Sequence, residues 1–150
     1  MDEMDRKIIA ELQKDGRLSA TDLAARVGLS LSPCHRRLRA LEQSGAIAGY
    51  RAEIDPKVIG LNFSAIVFVT LRQVSGDAIN AFEAALPGVT QIIQAQRLFG
   101  DPDYMLQIVT RDLDAFQKLY DTKLAGLPNV QRLNSTLVMK NIILNRPLPV

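Results

Sequence analysis

The sequence has little of what disulfide bonds, membranes or secretion would require. It contains one cysteine, Cys34, which cannot form a disulfide within the chain and is typical of a protein in a reducing compartment. No apolar run approaches the roughly 20 residues of a transmembrane helix. The first residues, Met-Asp-Glu-Met-Asp, are acidic, whereas a secretory signal starts with basic residues. We therefore expect a cytoplasmic protein that does not associate with membranes.

Motifs of common enzymes are also missing. The chain has no P-loop, no dinucleotide-binding glycine fingerprint and no serine–histidine–aspartate set. Cys34 could be a nucleophile, but its neighbour His35 points about a quarter turn away along a helix, so we predict that Cys34 is a core residue. The carboxylates Asp101 and Asp103, even together with Asp112 and Asp114, match no metal-ligand spacing. We expect no enzymatic activity, no metal and no cofactor.

Positive charge is concentrated in one stretch although the net charge is only +2. Between residues 31 and 51 a single acid, Glu42, stands against four arginines: Arg36, Arg37, Arg39 and Arg51. The only histidine, His35, lies in the same stretch. A local basic cluster on a nearly neutral protein indicates one site of contact with an anionic partner.

Apolar spacing predicts two helices before this cluster. The first has apolar residues at helical spacing and ends at Asp15-Gly16; these residues are Met4, Ile8, Ile9 and Leu12. Ser19 precedes Asp22 by three residues and predicts the start of the second helix, which Gly28 ends.

The basic cluster itself is predicted to be a third helix over residues 33–44. Ser32 suits the N-cap, Pro33 the first helical position and Gly45 the position just past the end. One face is apolar: Cys34, Leu38 and Leu41. The opposite face is polar and basic: Ser32, His35, Arg36, Arg39 and Gln43. Arg37 flanks the apolar stripe.

Three short helices with a tight turn at Gly28 are typical of a helix–turn–helix, whose last helix enters the major groove of double-stranded DNA. Arginine side chains bind guanine edges or phosphates, and helix N-termini bind phosphates. We predict these DNA contacts: Ser30, Ser32, Pro33, His35, Arg36, Arg37 and Arg39. The alternative is a solvated basic face on a structural helix.

Two short segments follow the third helix. Residues 47–54 are expected to form a hairpin wing, although Gly49 weakens that expectation. Residues 55–63 are expected to form a linker.

The remainder alternates between strands and helices. We predict strands over 64–71, 89–99, 104–110 and 130–139, and helices over 78–86 and 113–124. Leu86-Pro87-Gly88-Val89 and Leu127-Pro128-Asn129-Val130 occupy equivalent places in an internal repeat. The order is βαββαβ, a ferredoxin-like arrangement with both helices on one face of the sheet. The fold class is thus α+β, with domains at residues 1–60 and 61–150.

Two features of this second domain bear on partners. The run Ala65-Ile66-Val67-Phe68-Val69 is apolar on both faces, and a second subunit would cover the face that has no helices. The turn Gly100-Asp101-Pro102-Asp103-Tyr104 holds two carboxylates and a phenol that could bind an amino acid. The alternative is a plain β-hairpin, which the residue types favour because glycine, aspartate and proline are common turn residues.

Several segments together resemble the Lrp/AsnC (leucine-responsive, feast/famine) transcription factors over nearly the whole chain. They are Asp5-Arg6-Lys7-Ile8-Ile9, Leu12-Gln13-Lys14-Asp15-Gly16-Arg17, Val27-Gly28-Leu29-Ser30, Pro33-Cys34 with Arg37 and Arg39, Leu41-Glu42, Gly45-Ala46-Ile47, Gly49-Tyr50 and the turn at residues 100–104. The resemblance implies a winged helix–turn–helix joined to a RAM-type ligand-binding domain that forms homodimers, which assemble further to tetramers or octamers.

The resemblance also implies an amino acid effector between sheet domains, close to the turn. The residues that it places there are Arg97, Leu98, Gly100, Asp101, Asp103, Tyr104 and Ala125. We therefore predict a sequence-specific transcriptional regulator controlled by a small molecule. An architectural protein that wraps DNA without an effector is the alternative, and an enzyme with a ferredoxin-like domain is less favoured.

Overall fold

The computed structural model describes residues 1–150. The chain divides into two compact units, one of Met1–Glu53 with Ile142–Val150 and one of Ile54–Asn141. The predicted domains are residues 1–60 and 61–150. In the structure the first boundary falls between Glu53 and Ile54, and Ile142–Val150 belongs to the first unit. None of the helices combines the length and the apolar character needed to cross a bilayer.

The first unit contains the three predicted helices, α1 (Glu3–Lys14), α2 (Ala20–Val27) and α3 (Leu31–Gln43). Helix α1 begins with a capping box, in which Asp2 accepts a hydrogen bond from the Asp5 N–H and Asp5 accepts one from the Asp2 N–H. Ser19 caps α2 as predicted. Gly28 ends α2 in the left-handed region at φ 75°, where a side chain would be strained.

The predicted start of α3 was wrong by two residues. Ser30, not Ser32, is the N-cap, and its side chain makes no capping hydrogen bond. Pro33 is therefore the third residue of the helix rather than the first. The first turn tolerates proline throughout because its N–H groups have no partner within the helix. The end is as predicted, with Ser44 as C-cap and Gly45 at φ 76°.

The three helices enclose a small apolar core. Its buried members are Ile8, Leu23, Ala24, Val27, Cys34 and Leu41. Leu38 packs against them and remains partly exposed. The predicted stripe of α3 thus faces the core, and the opposite face of α3 is left for solvent.

The predicted hairpin wing over residues 47–54 was wrong for this structure. No residue between α3 and residue 63 is paired in a strand. The Ile47 N–H donates a hydrogen bond to the Leu41 carbonyl at 3.1 Å. Gly49 lies at φ 156°, a conformation that is rare for residues with side chains. Residues 47–54 do not pair with one another, and the segment is irregular.

The second unit is the predicted βαββαβ arrangement. Its elements are β1 (Phe63–Leu71), α4 (Gly76–Ala85), β2 (Ile92–Arg97), β3 (Tyr104–Thr110), α5 (Leu113–Leu119) and β4 (Val130–Leu137). The antiparallel sheet has the order β2-β3-β1-β4. Short 3-10 and π turns, Leu86–Gly88 and Tyr120–Leu124, follow the two helices.

Both helices pack on one face of this sheet, as predicted. Phe82 of α4 and Phe116 of α5 join a core with alternate residues of β1, such as Val67. Ile66 and Phe68, on either side of Val67 in β1, lie on the other face of the sheet and are half-buried. Within one chain the sheet is therefore covered on one side only.

Candidate functional site

The face of α3 that points away from the core is polar, basic and accessible. The side chains predicted to face outward are all exposed: Ser32, His35, Arg36, Arg39 and Gln43. With Ala40 they line a shallow depression of about 440 Å³. Helical periodicity brings them together because residues three and four apart lie on the same face.

The three arginines of α3 differ in their partners. Arg36 and Arg39 take part in no ion pair. Arg37 is half-buried, and its Nη1 lies 2.7 Å from Asp2 Oδ2 and 2.8 Å from Asp5 Oδ1. The guanidinium groups of Arg36 and Arg39 are thus unpaired within the protein, whereas Arg37 joins α3 to the start of α1.

Electrostatics at this contact agrees with a structural role for Arg37. Hydrogen bonds to Asp2 and then Asp5 raise the pKa of the Arg37 guanidinium. The Asp5 N–H, followed by Arg37, lowers the pKa of Asp2. Of the other residues assigned to DNA contact, Ser30 is exposed at the N-terminus of α3 and Pro33 is partly exposed in its first turn.

A second cavity, of about 600 Å³, lies in the second unit at the ends of β1 and β2 and the start of β3. It brings together five of the residues that the resemblance implied: Arg97, Leu98, Gly100, Asp103 and Tyr104. Four apolar residues that were not predicted complete the lining: Leu71, Val74, Ile79 and Phe99. Phe99 is fully exposed. Its position next to Leu98 and directly before a polar turn was the sequence feature that could have predicted it as a lining residue.

Tyr104 forms one wall of this cavity and is almost fully buried. Its hydroxyl donates a hydrogen bond of 2.6 Å to Oε1 of Glu83 on α4. Arg97, the cross-strand neighbour of Tyr104, has Nη1 4.0 Å from the same Glu83 oxygen. Burial and then the Glu83 carboxylate raise the pKa of Tyr104 to about 12, so the phenol is a donor at neutral pH.

Asp103 holds the turn against the end of β1. Its N–H donates to the Val69 carbonyl at 2.9 Å, and its Oδ2 accepts from the Leu71 N–H at 2.7 Å. Its carbonyl accepts from the Leu98 N–H at 2.7 Å, which closes the hairpin. Asp103 thereby fixes the backbone that lines the cavity.

Two of the residues implied by the resemblance do not line this cavity. Asp101 is the neighbour of Thr70 and Arg132, with Oδ1 3.9 Å from Arg132 Nη2, in a separate small depression of about 170 Å³. Ala125 is exposed at the end of the π turn after α5.

Cys34 is fully buried, and burial raises the pKa of its thiol, as expected for a core residue. No three side chains among histidine, cysteine, aspartate and glutamate converge in a way that could hold a metal ion.

Fold and sites together define a DNA-binding regulator that carries a ligand-binding domain. The family of Lrp/AsnC ligand-binding domains matches residues 64–148, and the winged helix–turn–helix DNA-binding family matches residues 1–48. The chain belongs to the Lrp/AsnC family of transcriptional regulators.

Individual relatives agree with this assignment. The chain is 37% identical to the Bkd operon transcriptional regulator of Pseudomonas aeruginosa, over 100% of this chain and 98% of that protein. It is 37% identical to the leucine-responsive regulatory protein of Escherichia coli K12, over 95% and 87%. A transcriptional regulator of Neisseria meningitidis, solved as a complex with L-Met, has a TM-score of 0.94 and 35% identity, over 99% and 96%.

Proposed function

We propose that this protein is a sequence-specific transcriptional regulator whose assembly or DNA affinity is modulated by an amino acid bound to its second unit. The observation that carries the DNA-binding part is the exposed face of α3, where Arg36 and Arg39 have no protein partner. Exposed arginines on one helix face suit the edges of guanine in the major groove and the flanking phosphates.

The cavity of the second unit supports an amino acid with an apolar side chain as the effector. Its lining is mainly aliphatic and aromatic, while Arg97 is exposed at its edge and offers a cation for a carboxylate. The Neisseria relative was solved with L-Met, an amino acid of this type. Leucine and methionine are accordingly the first candidates, followed by cysteine and asparagine.

A homodimer is part of this proposal. The face of the sheet that lacks helices carries Ile66, Phe68 and Met105, which a second copy would bury. In a dimer the two α3 helices would read half-sites about 34–36 Å apart or a multiple of that. Such dimers would assemble further to tetramers or octamers. Effector binding would favour one geometry of this assembly and so change the spacing of the recognition helices.

The first experiment is a thermal-shift screen with the twenty amino acids, because a ligand that binds only the folded protein raises its stability. A shift with an apolar amino acid, accompanied by a change in the affinity for a selected DNA sequence, would support the proposal. DNA binding with no thermal shift for any amino acid would favour the architectural alternative. Absence of DNA selectivity would overturn the proposal.

The relatives named above are regulators rather than enzymes, and we infer the same for this chain. Because the relatives named above are bacterial regulators, we propose a cytoplasmic location for this protein.

A further inference from the structure

The segment Ile142–Val150 lies in the first unit, where it contacts α1. The Gln13 side chain donates from Nε2 to the Leu148 carbonyl at 3.1 Å. The Leu148 N–H donates to Gln13 Oε1 at 2.6 Å. A single amide side chain thus satisfies both backbone polar groups of one residue.

The sequence around Leu148 makes this contact specific. Leu148 stands between Pro147 and Pro149, neither of which has an N–H. Leu148 therefore holds the only backbone donor of these three residues, and Gln13 accepts from it. A residue that precedes proline is also restricted to extended conformations, so little chain entropy is lost when the segment binds.

A second polar contact holds the same segment. Asn145 donates from Nδ2 to Glu53 Oε1 at 3.1 Å. The apolar side chains of the segment, including Ile142 and Leu148, remain largely exposed. Backbone and side-chain hydrogen bonds, rather than apolar burial, therefore determine where the segment binds.

The other end of the segment continues from the sheet. Strand β4 pairs with β1 up to Leu137 opposite Ala65, and the Val138 N–H donates to the Ser64 carbonyl. The chain thus enters β1 and leaves β4 at the same end of the sheet. The cavity lined by Leu71 and Tyr104 lies at the opposite end of β1.

We propose that residues 142–150 act as a strap. By binding α1 through Gln13, their positioning residue, they connect the DNA-binding unit to the rest of the chain a second time. The unit is then attached to the rest of the chain at two points, residues 53–54 and 141–142, instead of one. A doubly attached unit has fewer accessible orientations than one on a single linker. The strap would accordingly make binding depend more steeply on half-site spacing. This inference goes beyond the proposed function.

Hydrogen exchange in the full chain tests whether the strap is bound in solution. Between Arg146 and Val150 only Arg146, Leu148 and Val150 have a backbone N–H, so the Leu148 signal is easily isolated. We expect Gln13→Ala to speed exchange at Leu148 by about tenfold, since two hydrogen bonds are lost. Gln13→Glu, which keeps the acceptor but not the donor, should have a smaller effect.

Gln131→Ala, a change of the same residue type at an exposed position of β4, is the matched control and should leave Leu148 unchanged. Equal exchange at Leu148 in the wild type and in Gln13→Ala would overturn the strap. So would protection that rises with protein concentration, because the tail would then bind a second copy.

A gel-shift series tests the consequence for DNA. Paired half-sites at the preferred spacing are compared with pairs lengthened by about 5 base pairs, half a helical turn. The wild type should bind the preferred spacing more tightly than the lengthened one. In Gln13→Ala and in a chain lacking residues 142–150, we expect the ratio of the first affinity to the second to fall by about threefold or more. An unchanged ratio in both variants would refute the role in spacing. Failure to bind any DNA would refute the proposed function, whereas the exchange experiment would still decide whether the strap forms.

Discussion

The hydroxyl of Tyr104 donates a hydrogen bond to Glu83 that joins the start of β3 to α4 beside the cavity. The Tyr104 ring packs on Phe82, with ring centroids 4.7 Å apart. One buried phenol thus connects the sheet, a helix and the wall of the proposed effector site. Its ionisation provides the first prediction.

Stability should fall as the pH rises from about 10 to about 12. Burial, followed by the Glu83 carboxylate, raises the pKa of Tyr104 from 10.0 to about 12. Between these values the unfolded chain has released protons that the folded chain retains, so the free energy of unfolding decreases with pH. Below about pH 10 both states are protonated and this contribution is fully present.

Denaturant titrations between pH 9 and 12 measure this slope. Tyr104→Phe should reduce the slope, and at pH 7 it should lower the free energy of unfolding by about 1 kcal/mol for the lost hydrogen bond. Tyr120→Phe, whose hydroxyl has no carboxylate partner, is the control. A slope identical in the wild type and in Tyr104→Phe would contradict the prediction.

Arg39→Ala should weaken binding to a selected operator by about 1–3 kcal/mol if Arg39 contacts a base, while thermal stability stays unchanged. Arg39 is exposed and makes no ion pair, so the folded protein does not depend on it. Gel-shift titrations give the affinity. An operator affinity equal to that of the wild type would remove Arg39 from the reading face.

Arg37→Ala should behave differently and lower the thermal midpoint by a few degrees. The change removes the contacts to Asp2 and Asp5 that join α3 to the first turn of α1. Arg37→Lys should recover only part of the loss, because an ammonium group lacks the planar fork of a guanidinium. Calorimetry of these variants beside Arg39→Ala separates structural from DNA-contacting arginines. Loss of operator affinity without loss of stability would show that Arg37 contacts DNA instead.

Asp103→Ala should abolish the effector-induced thermal shift and leave DNA binding intact. The change leaves the buried Leu71 N–H without its partner, which costs about 1–3 kcal/mol, and releases the turn that lines the cavity. Asp101→Ala is the matched control, because Asp101 lies outside that cavity. The prediction fails if Asp103→Ala responds to amino acids like the wild type.

Phe68→Asp should convert the proposed dimer to a monomer. A carboxylate on the open face of the sheet would have to be buried without a partner at the subunit interface. Light scattering gives the mass, and circular dichroism checks that the fold remains. Leu113→Asp places the same charge on an exposed position of α5 and should leave the dimer intact. A dimeric Phe68→Asp would place the interface elsewhere.

Much of the fold was predictable because its signals are local. The stripe of Cys34, Leu38 and Leu41 identified the buried face of α3, since helical periodicity depends on spacing alone. Tyr104–Thr110 was predicted to the residue because turn residues precede it. The start of α3 was misplaced because Ser30 and Ser32 are equivalent cap candidates by residue type.

The expected hairpin over residues 47–54 is absent, and Gly49 at φ 156° interrupts that segment. The contacts that the sequence did not predict join distant segments. The pairing of Arg37 with Asp2 depends on how α3 packs across α1, which helical periodicity does not describe. The binding of Leu148 to Gln13 joins positions at opposite ends of the sequence.

The sequence by itself determined which segments are helices and strands, which face of α3 is basic and to which family the chain is similar. Only the tertiary structure decided which side chains are free to bind a partner. Arg36 and Arg37 are neighbours of one residue type, yet packing against α1 pairs only Arg37 with carboxylates. Asp101 and Asp103 belong to one turn, yet only Asp103 lines the cavity. The availability of a charged group depends on what the fold places around it, and that is not a local property of the chain.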